Sequence, residues 1–190
     1  MRDVVYSLSV SLDGFMRSVD GDISWSEPDA ELLEFHNELA RAVGTSLYGR
    51  RLYEDMAAYW PSVADDPAAN PQEADFARIW LDMPKVVFSR TLARVEHNSR
   101  LVADDLAGEV ARLKALPGGD LELGGAGIAA SFLREGLIDE FRLFVHPVVL
   151  GGGTPYFPAS SAPVPLRLAG TRVFDSSGVV FLRYRRAGRE

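Results

Sequence analysis

The chain contains no cysteine. Disulfides and thiolate metal sites are excluded, and the composition fits a reducing compartment. Its three histidines, His36, His97 and His146, lie far apart and show no His-Glu-x-x-His spacing, so no metal ligand is assigned. A Gly-x-Ser-x-Gly elbow is also missing, which weighs against a serine hydrolase. No apolar run approaches the ~20 residues of a membrane span, and Met1-Arg2-Asp3-Val4-Val5-Tyr6 is not a signal-peptide core. Positive charge is scarce: 20 Lys and Arg against 27 Asp and Glu leave a net charge of −7, which argues against a polyanionic partner. These absences lead us to expect a soluble, cytoplasmic protein with a small-molecule partner, without nucleic acid, membrane or metal.

With 190 residues, 47% of them hydrophobic, the chain suits one domain over residues 1–190, burying roughly 70% of its unfolded surface. Strand and helix signals take turns. Val4 to Val10 is β-rich and ends in Ser11-Leu12-Asp13-Gly14, a turn signal. Ser26-Glu27-Pro28-Asp29 predicts a helix capped by Ser26, with Leu32, Phe35, His36 and Leu39 on one face. Thr45 to Tyr48 reads as a buried strand, and Gly49 opens a helix through Tyr53 and Met56. Residues 61–73 read as a surface loop before a short helix at 74–80. Lys85 to Ser89 is strand, Leu106 to Leu113 helix, Leu121 to Leu123 strand, and Ile128 to Leu133 a helix closed by a left-handed Gly136. Phe141 to Val145 alternates as a strand, and Leu166–Phe174 and Val179–Tyr184 flank a hairpin turn. The pattern is α/β, with a mainly parallel sheet, helices on both faces and an antiparallel C-terminal hairpin.

Ligands of such sheets bind beyond the carboxyl ends of strands. One loop there is Gly124-Gly125-Ala126-Gly127-Ile128, between a strand and a helix. Its glycines let backbone N–H groups approach a ligand and the helix dipole favours an anion, which points to a phosphate-bearing ligand; a tight corner without ligand is the competing reading. The Rossmann template does not fit, because the glycines come late and the next strand ends in His146-Pro147 rather than an acid. Gly49-Arg50-Arg51 sets two guanidiniums at a helix start, unfavourable unless an anion offsets them, although a solvated surface pair is equally open. Ser89-Arg90 repeats the theme more weakly. Asp13 is a turn former or a site residue, and Trp25 core or site.

Four segments in order carry a resemblance: Val5–Phe15, Leu47–Glu54, Val87–Leu92, and the glycine segment from Gly124 through Gly136-Leu137-Ile138-Asp139-Glu140 to Gly151-Gly152-Gly153. Together they resemble the dihydrofolate-reductase-like domain of riboflavin-pathway deaminase-reductases and its stand-alone relatives. The resemblance implies a three-layer dihydrofolate-reductase-like fold, NADPH as cofactor and a homodimer. It implies that Gly49, Arg50, Arg51, Ser89 and Arg90 hold the 2′-phosphate side and that Gly124, Gly125, Ala126, Gly127 and Ile128 hold the pyrophosphate. It also implies that the loop from Asp13 through Phe15 to Trp25 closes over the nicotinamide and substrate, with Asp13, Asp29, Glu31 or bound water as proton source.

The implied reaction is hydride transfer to a small pterin-like, pyrimidine-like or carbonyl substrate; a non-catalytic nucleotide-binding or oligomeric scaffold is the alternative. Departures from the family are visible. Leu52 stands where a threonine is usual, and Leu123 holds the place of the substrate acid, with Glu122 on the other strand face. The zinc deaminase half, with its cysteine ligands, is missing from these residues.

Overall fold

The computed structural model describes residues 1–158 and 163–188. Its strands are β1 (Val4–Ser11), β2 (Phe15–Arg17), β3 (Val43–Gly49), β4 (Lys85–Phe88), β5 (Ser99–Val102), β6 (Asp120–Gly124), β7 (Glu140–His146), β8 (Thr154–Pro155), β9 (Leu166–Val173) and β10 (Val180–Arg186). Eight of them form one sheet in the order β5-β4-β3-β6-β1-β7-β10-β9, while β2 and β8 pair separately. The six strands from β5 to β7 run parallel, and β10 and β9 are antiparallel additions, so the expected α/β class with its C-terminal hairpin is observed.

The helices are α1 (Ala30–Ala42), α2 (Arg50–Asp65), α3 (Pro71–Asp82), α4 (Leu106–Ala115) and α5 (Ala126–Arg134). Connections from β1 to β3 and from β6 to β7 cross the sheet in opposite directions, so right-handed crossovers place their helices on opposite faces. Val110 and Leu113 of α4 and Ala129 and Phe132 of α5 pack on Val4, Tyr6, Leu121 and Leu123. On the other face Leu32 of α1 packs with Phe144 and Phe181, and Tyr53 of α2 with Tyr48 and Val87. Strand parity separates these two sets of side chains.

Local signals explain most boundaries. After α5, Gly136 is left-handed (φ 65°), the Gly136 amide donates to the Leu133 carbonyl and the Leu137 amide to that of Phe132, closing the expected glycine cap. The first helix corrects one expectation. Its cap is Asp29, whose carboxylate accepts from the Leu32 amide at 2.9 Å, whereas Ser26 ends a 3-10 turn at Ser24–Ser26. Pro28 is the reason: the residue before a proline is driven out of the helical region, and Glu27 lies at ψ 122°.

The loop expected at 61–73 shrinks to 66–70. α2 continues through Pro61 to Asp65, with Trp60 packed on Phe76 (4.6 Å between centroids), and Asn70-Pro71 serves α3 as cap and first residue. Strands β2, β5 and β8 were not anticipated; two to four residues are too few to show a period.

The hairpin is joined to the parallel strands by a buried charge. The Glu140 carboxylate, 1% exposed, accepts from Arg142 Nε (2.7 Å) and Arg185 Nε (3.0 Å) and pairs with Arg183 (2.9 Å). Burial alone would push its carboxyl up, but the three guanidiniums hold it below the usual range. Removing that charge leaves the arginines facing one another. Glu140→Gln is expected to lose about 3–5 kcal/mol in urea unfolding; a loss below about 1 kcal/mol would show that the network is not structural.

Candidate cofactor corner and substrate cleft

Three strand ends lie side by side. β4, β3 and β6 are adjacent and parallel, so the turns at Ser89, Gly49 and Gly124-Gly125 open on the same edge. The approach is close: a Cβ on Gly49 would stand 3.3 Å from Ile128 Cβ, and one on Gly124 would stand 2.7 Å from Leu52 Cδ2 and 2.9 Å from Tyr48. Gly125 adopts φ +104°, a conformation side chains rarely take. Leu52 therefore serves as packing for the glycine corner.

The helix starts differ in a telling way. Asp29, Asn70 and Asp105 cap α1, α3 and α4 with side-chain oxygens. α2 and α5 begin at Gly49 and Gly125 with no side-chain cap. Their first-turn amides thus receive no cap from a side-chain oxygen at Gly49 or Gly125, in the two helices that meet at this corner.

Beside them, Arg50 reaches Thr91 Oγ1 at 2.9 Å and Glu54 at 3.2 Å. Ser89 Oγ accepts from the amides of Thr91 (3.2 Å) and Leu92 (3.1 Å). Arg50, Ser89 and Thr91 thus form one polar cluster, to which Thr91 is an addition. Arg90 turns to Asp104 (3.0 Å), and Arg51 is exposed with no partner among the described residues. Between the β4 and β5 ends and α5 lies a pocket of ≈ 410 Å³, lined by Ser89, Arg90, Asp104, Ile128, Ser131 and Arg134 among others.

A second polar cluster lies on the sheet face covered by α1 and α2. Ser7 and Ser9 of β1, Glu122 of β6, Arg142 of β7 and His36 of α1 are all half-buried. Leu123 points the opposite way, fully buried under α4 and α5. Glu122 is thus the acid on the α1 and α2 side. It makes no hydrogen bond or ion pair among the described residues, and burial pushes its carboxyl up, partly offset by Arg142.

The loop candidates are individually placed. Asp13 accepts from Ser11 Oγ (2.6 Å) and from the Leu150 (3.1 Å) and Gly151 (2.7 Å) amides. The Ser11 hydroxyl, with those amides, holds its carboxyl below the usual range. Phe15 opens β2, opposite Pro155, and its amide donates to Ser11 Oγ. Trp25 presents its ring edge-on to His146 at 5.5 Å, and Arg17 of β2 reaches Asp55 of α2 at 3.6 Å. Asp29 is a helix cap, its carboxyl lowered first by the Leu32 amide. Glu31 is bonded to Arg172 and Ser176 of the hairpin.

Two histidines join this group. His146 Nε2 lies 3.2 Å from Ser9 Oγ, and His36 stacks on Phe144 at 4.2 Å, close enough to His146 for the two to interact electrostatically. Burial, with His146 adding to it, lowers the His36 imidazole to about 4, and burial lowers His146 as well. The sequence held no sign of this pairing except that His36 shares the apolar face of α1. No group of described residues could hold a metal ion, and no described helix is long and apolar enough to cross a membrane.

Known proteins share the fold of this chain. The protein YyaP of Bacillus subtilis is 37% identical over 186 residues, covering 96% of this chain and 94% of YyaP. Among solved structures, the diaminohydroxyphosphoribosylaminopyrimidine deaminase/5-amino-6-(5-phosphoribosylamino)uracil reductase of Thermotoga maritima superimposes with a TM-score of 0.66 at 16% identity. That match covers 98% of this chain and 57% of the longer protein. The dihydrofolate reductase of Enterococcus faecalis, solved with NADP(H), gives 0.63 at 14% identity over 97% of this chain and 96% of the reductase. At these identities the solved structures speak for the fold, which is dihydrofolate-reductase-like. The model of the RibD C-terminal domain matches residues 2–180, and the chain belongs to that family.

Proposed function

We propose that the chain is an NADPH-dependent reductase of a small heterocyclic or carbonyl substrate. The observation that carries this reading is the pair of uncapped helix starts, α2 and α5, meeting beside Arg50, Ser89 and Thr91. Open amides at two helix N-termini suit a pyrophosphate, and a guanidinium flanked by hydroxyls suits a further phosphate such as that on the ribose 2′-oxygen. The residues fit the cofactor, and the relative of the same fold from Enterococcus faecalis binds NADP(H).

When bound, the cofactor supplies a hydride. This chain's residues do the rest. The first-turn amides of α2 and α5 fix the phosphates, and Trp25 and Phe15, on the loop after β1, shield the polar sheet face from water. A proton must reach the atom next to the hydride acceptor. Asp13, Asp29 and Glu31 are each bonded into the structure, whereas His36 is half-buried against Phe144 and makes no hydrogen bond among the described residues. We assign the proton transfer to the His36 imidazole, which is mostly neutral above pH 5 and acts through its small protonated fraction.

Two predictions follow from these assignments. In calorimetric titrations Arg50→Ala should weaken NADPH about tenfold or more and change NADH by less than about threefold; equal losses would contradict a 2′-phosphate contact. An imidazole held at about 4 loses its proton as pH rises, so turnover should fall from pH 5 to 8. His36→Asn should flatten that slope and lower kcat by ~100-fold; an unchanged profile in the variant would assign the proton elsewhere.

The same burial has a stability signature. The unfolded imidazole takes up its proton near 6.5 and the folded one near 4, so this contribution is present above 6.5 and is lost as pH falls toward 4. His36→Asn should therefore melt with a smaller drop between pH 7 and pH 5 than the parent protein; an equal drop would mean that His36 titrates normally.

A further inference from the structure

At the edge of the sheet opposite the glycine corners, a cavity of ≈ 470 Å³ opens where β3, β4 and β5 begin. Thr45, Lys85 and Ser99 stand in its wall near those strand starts, whereas Gly49 and Phe88 end β3 and β4 at the cofactor corner. The reductase reading makes no use of this end. Part of the wall is apolar: Val86 and Leu113 come from the core beneath α4, and Leu116, which closes α4, is 43% exposed. Part of it is cationic. Arg2, Lys85, Arg100 and Arg112 line the cavity with Glu96 as the only lining acid, in a chain whose net charge is −7.

The fold does not neutralise these cations. Arg2 is buried, 6% exposed, and donates from Nε to the Gly119 carbonyl (2.5 Å) and from one terminal nitrogen to Thr45 Oγ1 (2.7 Å). No side chain fits beside it at position 44, where a Cβ on Gly44 would stand 2.7 Å from the guanidinium and 2.6 Å from the Gly119 carbonyl. The other terminal nitrogen of Arg2 makes no hydrogen bond among the described residues and is not one of the unpaired atoms sealed from water, so it reaches solvent in the cavity that Arg2 lines. Asp120 attracts Arg2 electrostatically, but its carboxylate accepts from the Asp3 amide. Arg100 and Arg112 both donate to Glu109 Oε1, so two guanidiniums share one negative charge. Lys85 Nζ donates to the carbonyls of Met83 (2.7 Å) and His97 (2.8 Å). His97 and Asn98, in the same wall, are consecutive left-handed residues at φ 55° and 54°. Backbone held at such a cost gathers at ligand clamps.

We propose that this cavity is a second ligand site, built for a small monocarboxylate with an apolar body. The carboxylate meets the free N–H groups of Arg2 and Arg112, whose planar forks match its two oxygens, and the body covers Val86, Leu113 and Leu116. Both halves of the ligand are needed. An inorganic anion would leave the leucines in water, and a neutral ring would leave the guanidinium charge unmatched. A cavity of this volume is in the range of small-molecule sites. Because it lies at the far ends of β3 and β4, its ligand and a nucleotide at the glycine corners bind side by side without competing, and the site stands whether or not the chain is a reductase.

The test is a titration of the whole chain with benzoate, benzamide and acetate, followed through backbone amide shifts in NMR spectra. Benzoate should bind about tenfold more tightly than benzamide, which lacks the charge, and about tenfold more tightly than acetate, which lacks the body. Its shifts should gather at Thr45, Asn98, Ser99 and Leu113 and should be the same with and without NADPH. Arg2→Met should weaken benzoate by about tenfold or more. Leu116→Glu, a change at an exposed position that sets a carboxylate beside that of the ligand, should do likewise and answers the question if Arg2→Met does not fold. Benzamide or acetate binding as tightly as benzoate, shifts at Gly49 and Gly125 in place of these, displacement by NADPH, or a Leu116→Glu variant that binds benzoate as the parent does would overturn the proposal.

Discussion

The arrangement depends on close approach at the two glycine corners where β3 and β6 hand over to α2 and α5. Gly49 lies against Ile128, and Gly124 lies where a Cβ would strike Leu52 and Tyr48. Side chains there would push the helix starts apart, and the amides that now open on one edge would no longer converge. The sheet order makes the approach possible, since β4, β3 and β6 are immediate neighbours and parallel. Leu52, a departure from the family pattern at sequence level, is what fills the space beside Gly124.

A second constraint is the polarity of the sheet face under α1 and α2. Ser7, Ser9, Ser46, Glu122, Arg142 and His146 occupy inward positions where a sheet packed only for stability would carry aliphatic residues. The apolar clusters lie to either side: Phe144, Phe174 and Phe181 under α1, Tyr48, Tyr53 and Val87 under α2. A polar strip between two apolar flanks is costly to bury without partners. The acids nearest the loop are bonded into the structure: Asp13 to the glycine turn at 150–151, Asp29 as the cap of α1, and Glu31 to the hairpin.

Much of this was legible locally. The strand-to-helix glycines, the Gly136 cap and the alternation in Phe141 to Val145 are short-range signals, and each appears as read. The misleading signals are local too: Ser26 resembles a cap, but Pro28 drives Glu27 out of the helical region, and the prolines of 61–73 conceal a helix held by Trp60 on Phe76. The cleft was not legible. Whether Glu122 or Leu123 faces α1 and α2 depends on the strand order, because crossovers in opposite directions put α1 and α5 on opposite faces. The meeting of His36 and His146 needed the same topology, as did the Arg50 and Thr91 contact.

The most direct test of the central claim is a crystal structure of the whole chain soaked with NADPH. The account predicts density crossing the ends of β4, β3 and β6, with the pyrophosphate on the first-turn amides of α5, the 2′-phosphate against Arg50 and Ser89, and the nicotinamide directed toward the polar cluster of Glu122 and His36. Density at the opposite ends of the strands, beside Lys85 and Arg2, or a corner left to water at millimolar cofactor, would contradict it.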